Sequence, residues 1–210
     1  MAKTQTRLIT AIAAAALLWF YMFSPWTGAL SSFWLNMSIS AVILSIMAIL
    51  LSGNRMGSFS VRNAAVQTAI GIAIAFALWG IFWIGDAVSQ MLFSFARGQV
   101  DSVYAMKDGS APVLIALLLL FLIGPAEEFF WRGYVQKTLS EQFGANAALV
   151  ATTLIYALVH IWSFNFMLVM AALVAGAVWG LIYRIKPSLL PATIISHAVW
   201  DALVFVILPI

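Results

Sequence analysis

The sequence predicts an all-α fold, a polytopic bundle of about seven transmembrane helices with the N-terminus inside. Three observations predict it. Of the 210 residues, 64% are hydrophobic and only 8% are charged, whereas a soluble domain carries about 25% charged residues. The apolar residues gather into seven stretches near the ~20 residues needed to cross ~30 Å of hydrocarbon. When those stretches are threaded back and forth, eight of the ten Lys and Arg residues fall on one side, the bias of cytoplasmic loops.

The first stretch, Leu8–Phe23, follows Lys3 and Arg7 and looks like a secretory signal. It is of span length and no small-x-small cleavage site follows, so it reads as a retained signal-anchor. The others are Ser31–Leu51, Ala64–Phe93, Ala111–Trp131 with a polar extension to Ser140, Asn146–Ile161, Phe166–Ile185 and Leu189–Leu208. Asp86 interrupts the end of the long third stretch, which leaves a count of about six to eight. Turn residues punctuate the connections at Ser24-Pro25, Gly53-Asn54, Gly109-Ser110, Gly144 and Lys186-Pro187. With the N-terminus inside, Lys3, Arg7, Arg55, Arg62, Arg132, Lys137, Arg184 and Lys186 lie inside, and Arg97 and Lys107 outside. No linker or composition shift marks a second domain, so residues 1–210 read as a single integral membrane domain. A bacterial plasma membrane is its expected location.

Composition also excludes functions. There is no cysteine, hence no disulfide, thiolate metal site or cysteine nucleophile. The net charge is +3, but the basic residues are scattered singly, without the stripe that binds nucleic acid. Neither His-Glu-x-x-His nor Gly-x-Ser-x-Gly occurs. Ala172, Gly176 and Gly180 form a small-residue stripe of four-residue spacing, which predicts close helix packing. Trp26, Trp34 and Trp162 fall near span ends and are expected in the interfacial belt.

Function is sought in the few ionisable groups placed among apolar residues, because each costs at least ~2.5–3.5 kcal/mol to insert. Glu127, Glu128 and Arg132 follow an uncharged run from Ala111 to Pro125. Glu128 and Arg132, four apart, share a helix face and suit an ion pair. Glu127 points elsewhere and needs a partner from another helix. In a hairpin turning at Phe143-Gly144, Glu127 lies 16 residues before the turn and His160 16 after it. Both then sit at one depth, about 24 Å along their helices. His197 and Asp201 share a face of the last stretch. Glu127, His160, His197 and Asp201 can therefore converge from three helices.

Such a set suits two chemistries. A desolvated glutamate can act as general base toward water while histidines orient the water, stabilise an oxyanion or move a proton. The same four side chains could ligate a zinc ion with one open position. Taken singly, each element also has a bland reading. Glu128 with Arg132 is a helix-locking ion pair, His197 a packed histidine, and Asp201 its acceptor.

Three motifs together resemble a known family: Glu127-Glu128-x-x-x-Arg132, Tyr156-x-x-x-His160 and His197-x-x-x-Asp201. In order and on separate spans they are similar to those of the CPBP family, the type II CAAX prenyl endopeptidases and bacteriocin-processing enzymes. The similarity covers about residues 111 to 208, the expected catalytic core. It implies an intramembrane endopeptidase acting on membrane-associated peptides or proteins. It further implies that Glu127 activates water with His160. By the same likeness, His197 and Asp201 stabilise the oxyanion or complete a metal site, and Glu128 and Arg132 hold the helix. The family includes enzymes described as metalloproteases and as metal-free glutamate proteases, so a Zn2+ cofactor stays open. Tyr156 stands where the family commonly has phenylalanine and is expected only to pack. Asp201 stands where prenyl proteases have asparagine, which favours a metal or a charged His197 and weighs against CAAX processing. The expected partners are a membrane-embedded or lipid-associated peptide and the bilayer, with no nucleic acid. The competing classes are a non-catalytic scaffold or immunity factor and a proton-coupled transporter. Against the transporter, the two halves show no repeat symmetry or paired broken helices.

Overall fold

Uninterrupted apolar residues leave the backbone no solvent to bond with, and helices are the result. The computed structural model describes residues 2–52 and 63–210, which form helices and no strand. The expected turn at Gly53-Asn54, and Arg55 and Arg62, lie outside the described residues. Seven helices among the described residues are long and apolar enough to span. They are α1 (Ala2–Phe23), α2 (Phe33–Ser52), α3 (Ala64–Leu92), α5 (Pro112–Phe143), α6 (Ala145–Ser163), α7 (Phe166–Ile185) and α8 (Pro187–Ile207). The sequence reading did not anticipate α4 (Ala96–Tyr104), which is short, polar and non-spanning.

Local chemistry explains the irregular places. Pro112 opens α5, where its missing N–H costs nothing. Inside that helix Pro125 cannot donate to the carbonyl four residues back. The turn just before it, Leu119–Ile123, is widened to a π-turn, a known way of absorbing such a defect. A second π-turn, Trp131–Gln136, carries Arg132. Gly144, with φ 84°, takes a positive-φ conformation that glycine adopts readily, and there the chain reverses into α6. The last turn of α6, Val159–Ser163, tightens to 3₁₀ geometry and holds His160. Asn165 then caps α7 by accepting from the Leu168 N–H at 2.9 Å.

Two apolar clusters carry the bundle. One joins α1, α2, α5 and α6 around Trp19, Leu44, Phe130 and Trp131. The other joins α3, α7 and α8 around Leu78, Trp179 and Trp200. Because lipid is as apolar as leucine, close backbone approach and polar contacts must drive this packing. Glycines permit it. A Cβ on Gly176 would lie 2.9 Å from the Tyr156 ring, and one on Gly180 2.9 Å from Leu149, so the small-residue stripe is where α7 meets α6. Gly124 lets α5 reach α8, since a Cβ there would lie 2.7 Å from Ala198 Cα. Trp26 and Trp162 are exposed, as a belt requires, but Trp34 is 7% exposed. Its indole turns inward and donates to the Met106 carbonyl at 3.0 Å, because the α4 connection folds over the start of α2.

Gly124→Ala should destabilise the protein by about 1–3 kcal/mol, the usual cost of overpacking, since backbone opposes the added methyl. Gly80→Ala, which meets open space, is the control. Thermal unfolding in detergent compares them, and equal melting points would remove the close-approach account.

Candidate functional site

The motif residues meet between the two clusters. Glu128 sits at the centre, fully buried. Its Oε1 accepts from Arg132 Nη1 at 2.5 Å and from His197 Nδ1 at 3.0 Å. The i,i+4 pairing expected from spacing is present. The same carboxylate also reaches α8, so holding the helix understates what Glu128 does.

Arg132 is fully buried too. Its Nη2 donates to the Gly176 carbonyl at 2.9 Å. Its guanidinium lies 5.1 Å from the Tyr156 ring and 5.5 Å from the Trp179 ring, within cation–π range of both. One turn on, Gln136 Nε2 donates to the Gly180 carbonyl at 2.9 Å. The polar rungs 132 and 136 thus pair with the glycine rungs 176 and 180, whose bare backbones leave those carbonyls reachable.

His197 is held on three sides. Trp179 stacks on its ring at 3.9 Å and 15°, and is itself fixed by donating to Ser196 Oγ at 3.0 Å. Nδ1 faces Glu128, and Nε2 faces Asp201 Oδ2 at 3.4 Å. Both ring nitrogens therefore point at carboxylates.

Glu127 finds its partner on α6, but not the one expected. Tyr156 donates its hydroxyl to Glu127 Oε2 at 2.9 Å, and no direct Glu127–His160 bond is present among the described residues. The phenol at position 156 is a polar member of the site, a correction to the expectation that it only packs. His160 bonds the same residue from behind: Nδ1 lies 2.8 Å from the Tyr156 carbonyl. Its other nitrogen, Nε2, accepts from Trp19 Nε1 at 3.0 Å. An N–H acceptor at Nε2 leaves the proton on Nδ1, so His160 is the neutral Nδ1–H tautomer.

Trp19 and Trp179 were not anticipated. The signal available was chemical: an indole N–H buried in a membrane usually finds an acceptor, although those of Trp131 and Trp200 have none among the described residues. Trp19 and Trp179 are fully buried, and nothing in spacing said which acceptor each would choose.

A cavity of about 500 Å³ gathers the candidates. Glu127, Tyr156, His160, His197 and Asp201 line it, whereas Glu128 and Arg132 stand behind its wall. Most of the remaining lining is apolar, from α2, α3, α7 and α8, with Asp86 of α3 among it. Tyr104, from α4, also lines it; burial raises its phenol above the usual value, against the Ile210 N–H bond and Arg97, so it stays neutral.

These side chains do not form a ready zinc site. Among the described residues no group of three or more His, Cys, Asp or Glu side chains is placed to hold an ion. The reason is visible in the bonds, since both nitrogens of each histidine are already engaged.

Residues 109–203 match the family model Rce1-like, described as type II CAAX prenyl endopeptidase Rce1-like. The match bears out the resemblance to the CPBP intramembrane proteases read from the three motifs. It supports an integral membrane protein and, as a general class, intramembrane endopeptidase activity. No curated protein and no solved structure gives a match.

Two outcomes test this arrangement. Glu128→Ala removes the acceptor of two buried donors, and breaking a buried pair costs about 3–5 kcal/mol, so yield and melting temperature should fall sharply. A variant as stable as the parent would contradict the shared-carboxylate account. Trp19→Phe keeps the ring and removes the N–H, which should open His160 Nε2 to diethylpyrocarbonate while His197 stays protected. The chain has two histidines, so mass spectrometry of the modified peptides resolves each; an unchanged His160 would refute the bond.

Proposed function

We propose that the chain, with its CPBP-type segment at residues 109–203, is an intramembrane endopeptidase using a glutamate-activated water. The observation that carries this reading is the division between neighbouring carboxylates. Glu128 is locked in the Arg132–His197 network, while Glu127 lines the cavity with a neutral phenol as its partner. Glu127 is the general base. It takes a proton from water, whose oxygen attacks the peptide carbonyl. In this reading His197 Nε2 gives up its long 3.4 Å contact with Asp201 when substrate enters the cavity and donates instead to the resulting oxyanion. Glu127 then delivers the proton to the departing amine, and the carbon–nitrogen bond breaks. His160 is a positioning residue in this reading: its Nδ1–H pins the turn that carries Tyr156, and Trp19 fixes its tautomer.

A metal is not needed for any of these steps, and the engaged ring nitrogens favour the metal-free form. A transporter would need buried groups free to exchange protons along a path, whereas here the charges are tied into one fixed network.

The test compares new N-termini of membrane proteins in cells carrying the parent or Glu127→Ala at matched expression. Termini that appear only with the parent are expected, and they should persist in membranes treated with a chelator. Equal termini from a folded Glu127→Ala protein would sink the mechanism. Loss on chelation with recovery on added zinc would replace it by a metalloprotease.

A further inference from the structure

The cavity occupies only one half of the bundle, the half far from the N-terminus. Phe23 lines it from the last turn of α1, Trp34 from the first turn of α2, and Ser89 from the end of α3. His160 does so from the end of α6, Met167 from the start of α7, and Phe205 from the end of α8. Ring contacts confirm that these ends share one membrane face. Phe23 meets Phe33 and His160 at 5.5 Å each, Trp34 meets Phe205 at 6.0 Å, and Phe93 meets Phe166 at 5.7 Å.

Charge differs sharply between the two faces. The cavity face carries Arg97 and Lys107, accompanied by Asp101 and Asp108. Even these cations are engaged, Arg97 with Asp101 at 2.7 Å and Lys107 with the Phe205 carbonyl at 3.1 Å. Among the described residues the opposite face carries Lys3, Arg7, Lys137, Arg184 and Lys186, with Glu141 its one acid. Arg132, buried against Glu128, belongs to neither. Five cations against two, among the described residues, orient a bundle with its basic face in the cytoplasm.

We infer that the cavity opens on the extracytoplasmic side of its membrane and receives apolar peptide segments presented from that side. The second half of this inference rests on the endopeptidase reading; the first does not. A lining dominated by apolar side chains suits a segment already in the outer half of the bilayer, such as an anchored or exported peptide. A lipid-modified tail displayed in the cytoplasm would meet the closed, basic face instead.

The absence of native cysteine makes the test direct. Single cysteines are placed in the full chain, expressed in bacterial cells, and treated with a membrane-impermeant maleimide before and after permeabilisation. Gly98→Cys and Asp108→Cys report the cavity face; Lys186→Cys and Ser188→Cys report the other. All four positions are exposed. Met167→Cys reports the cavity wall itself. Labelling of Gly98→Cys, Asp108→Cys and Met167→Cys in intact cells is expected, with Lys186→Cys and Ser188→Cys labelled only on permeabilisation. The reverse pattern, or labelling of both faces in intact cells, overturns the orientation. Labelling at Gly98 and Asp108 but not Met167 overturns access to the cavity from that side. Paired positions guard against one variant failing to insert. The pattern should be the same in a Glu127→Ala background, so it stands or falls separately from hydrolysis.

Discussion

One carboxylate oxygen ties this bundle together. Glu128 Oε1 accepts from Arg132 on its own helix and from His197 on α8, and all three side chains are buried. A charge so far from water is tolerable only if paired and hydrogen-bonded. The pairing therefore fixes the distance and rotation between α5 and α8. Arg132 extends the constraint through the Gly176 carbonyl to α7 and through the Tyr156 ring to α6. Four helices thus answer to one ion pair. The glycines at 124 and 176 matter for the same reason: without them the backbones could not come close enough for these bonds to form.

That network also explains why adjacent glutamates have different surroundings. Successive residues on a helix point about 100° apart, so fixing Glu128 against α8 turns Glu127 toward α6 and the cavity. Its bond to Tyr156 then joins the two halves of the hairpin one helical turn nearer Gly144 than residue counting places its partner. The hydroxyl that distinguishes Tyr156 from a phenylalanine is what makes this contact, so a substitution that looks like packing changes the hydrogen bonding of the Glu127 carboxylate.

The matched segment does not complete the site alone. Trp19 of α1 supplies the donor to His160, and α2, α3 and α4 supply much of the cavity wall. Gln99 of α4 accepts from the Met167 N–H, and Asn165 donates to the Gln99 carbonyl, so α4 also anchors the start of α7. The helices before residue 109 are part of the chamber in which the motif residues sit.

The sequence by itself determined the membrane class, the seven spans to within a few residues, the hairpin at Gly144 and the i,i+4 pairing of Glu128 with Arg132. Hydropathy, turn chemistry and helical periodicity are local properties, and they fix these features residue by residue. It also named Glu127, His160, His197 and Asp201, four ionisable groups that line the cavity, because buried charge is rare enough to stand out. Only the tertiary structure decided who bonds to whom. Tyr156 rather than His160 meets Glu127, Trp19 rather than solvent meets His160, Glu128 serves two donors, and α4 folds in beside the cavity. Each of these depends on how helices from distant parts of the chain are rotated against one another, by close contacts at single glycines and by π-turns that shift the phase of a helix. Those rotations leave no periodic trace in the order of residues.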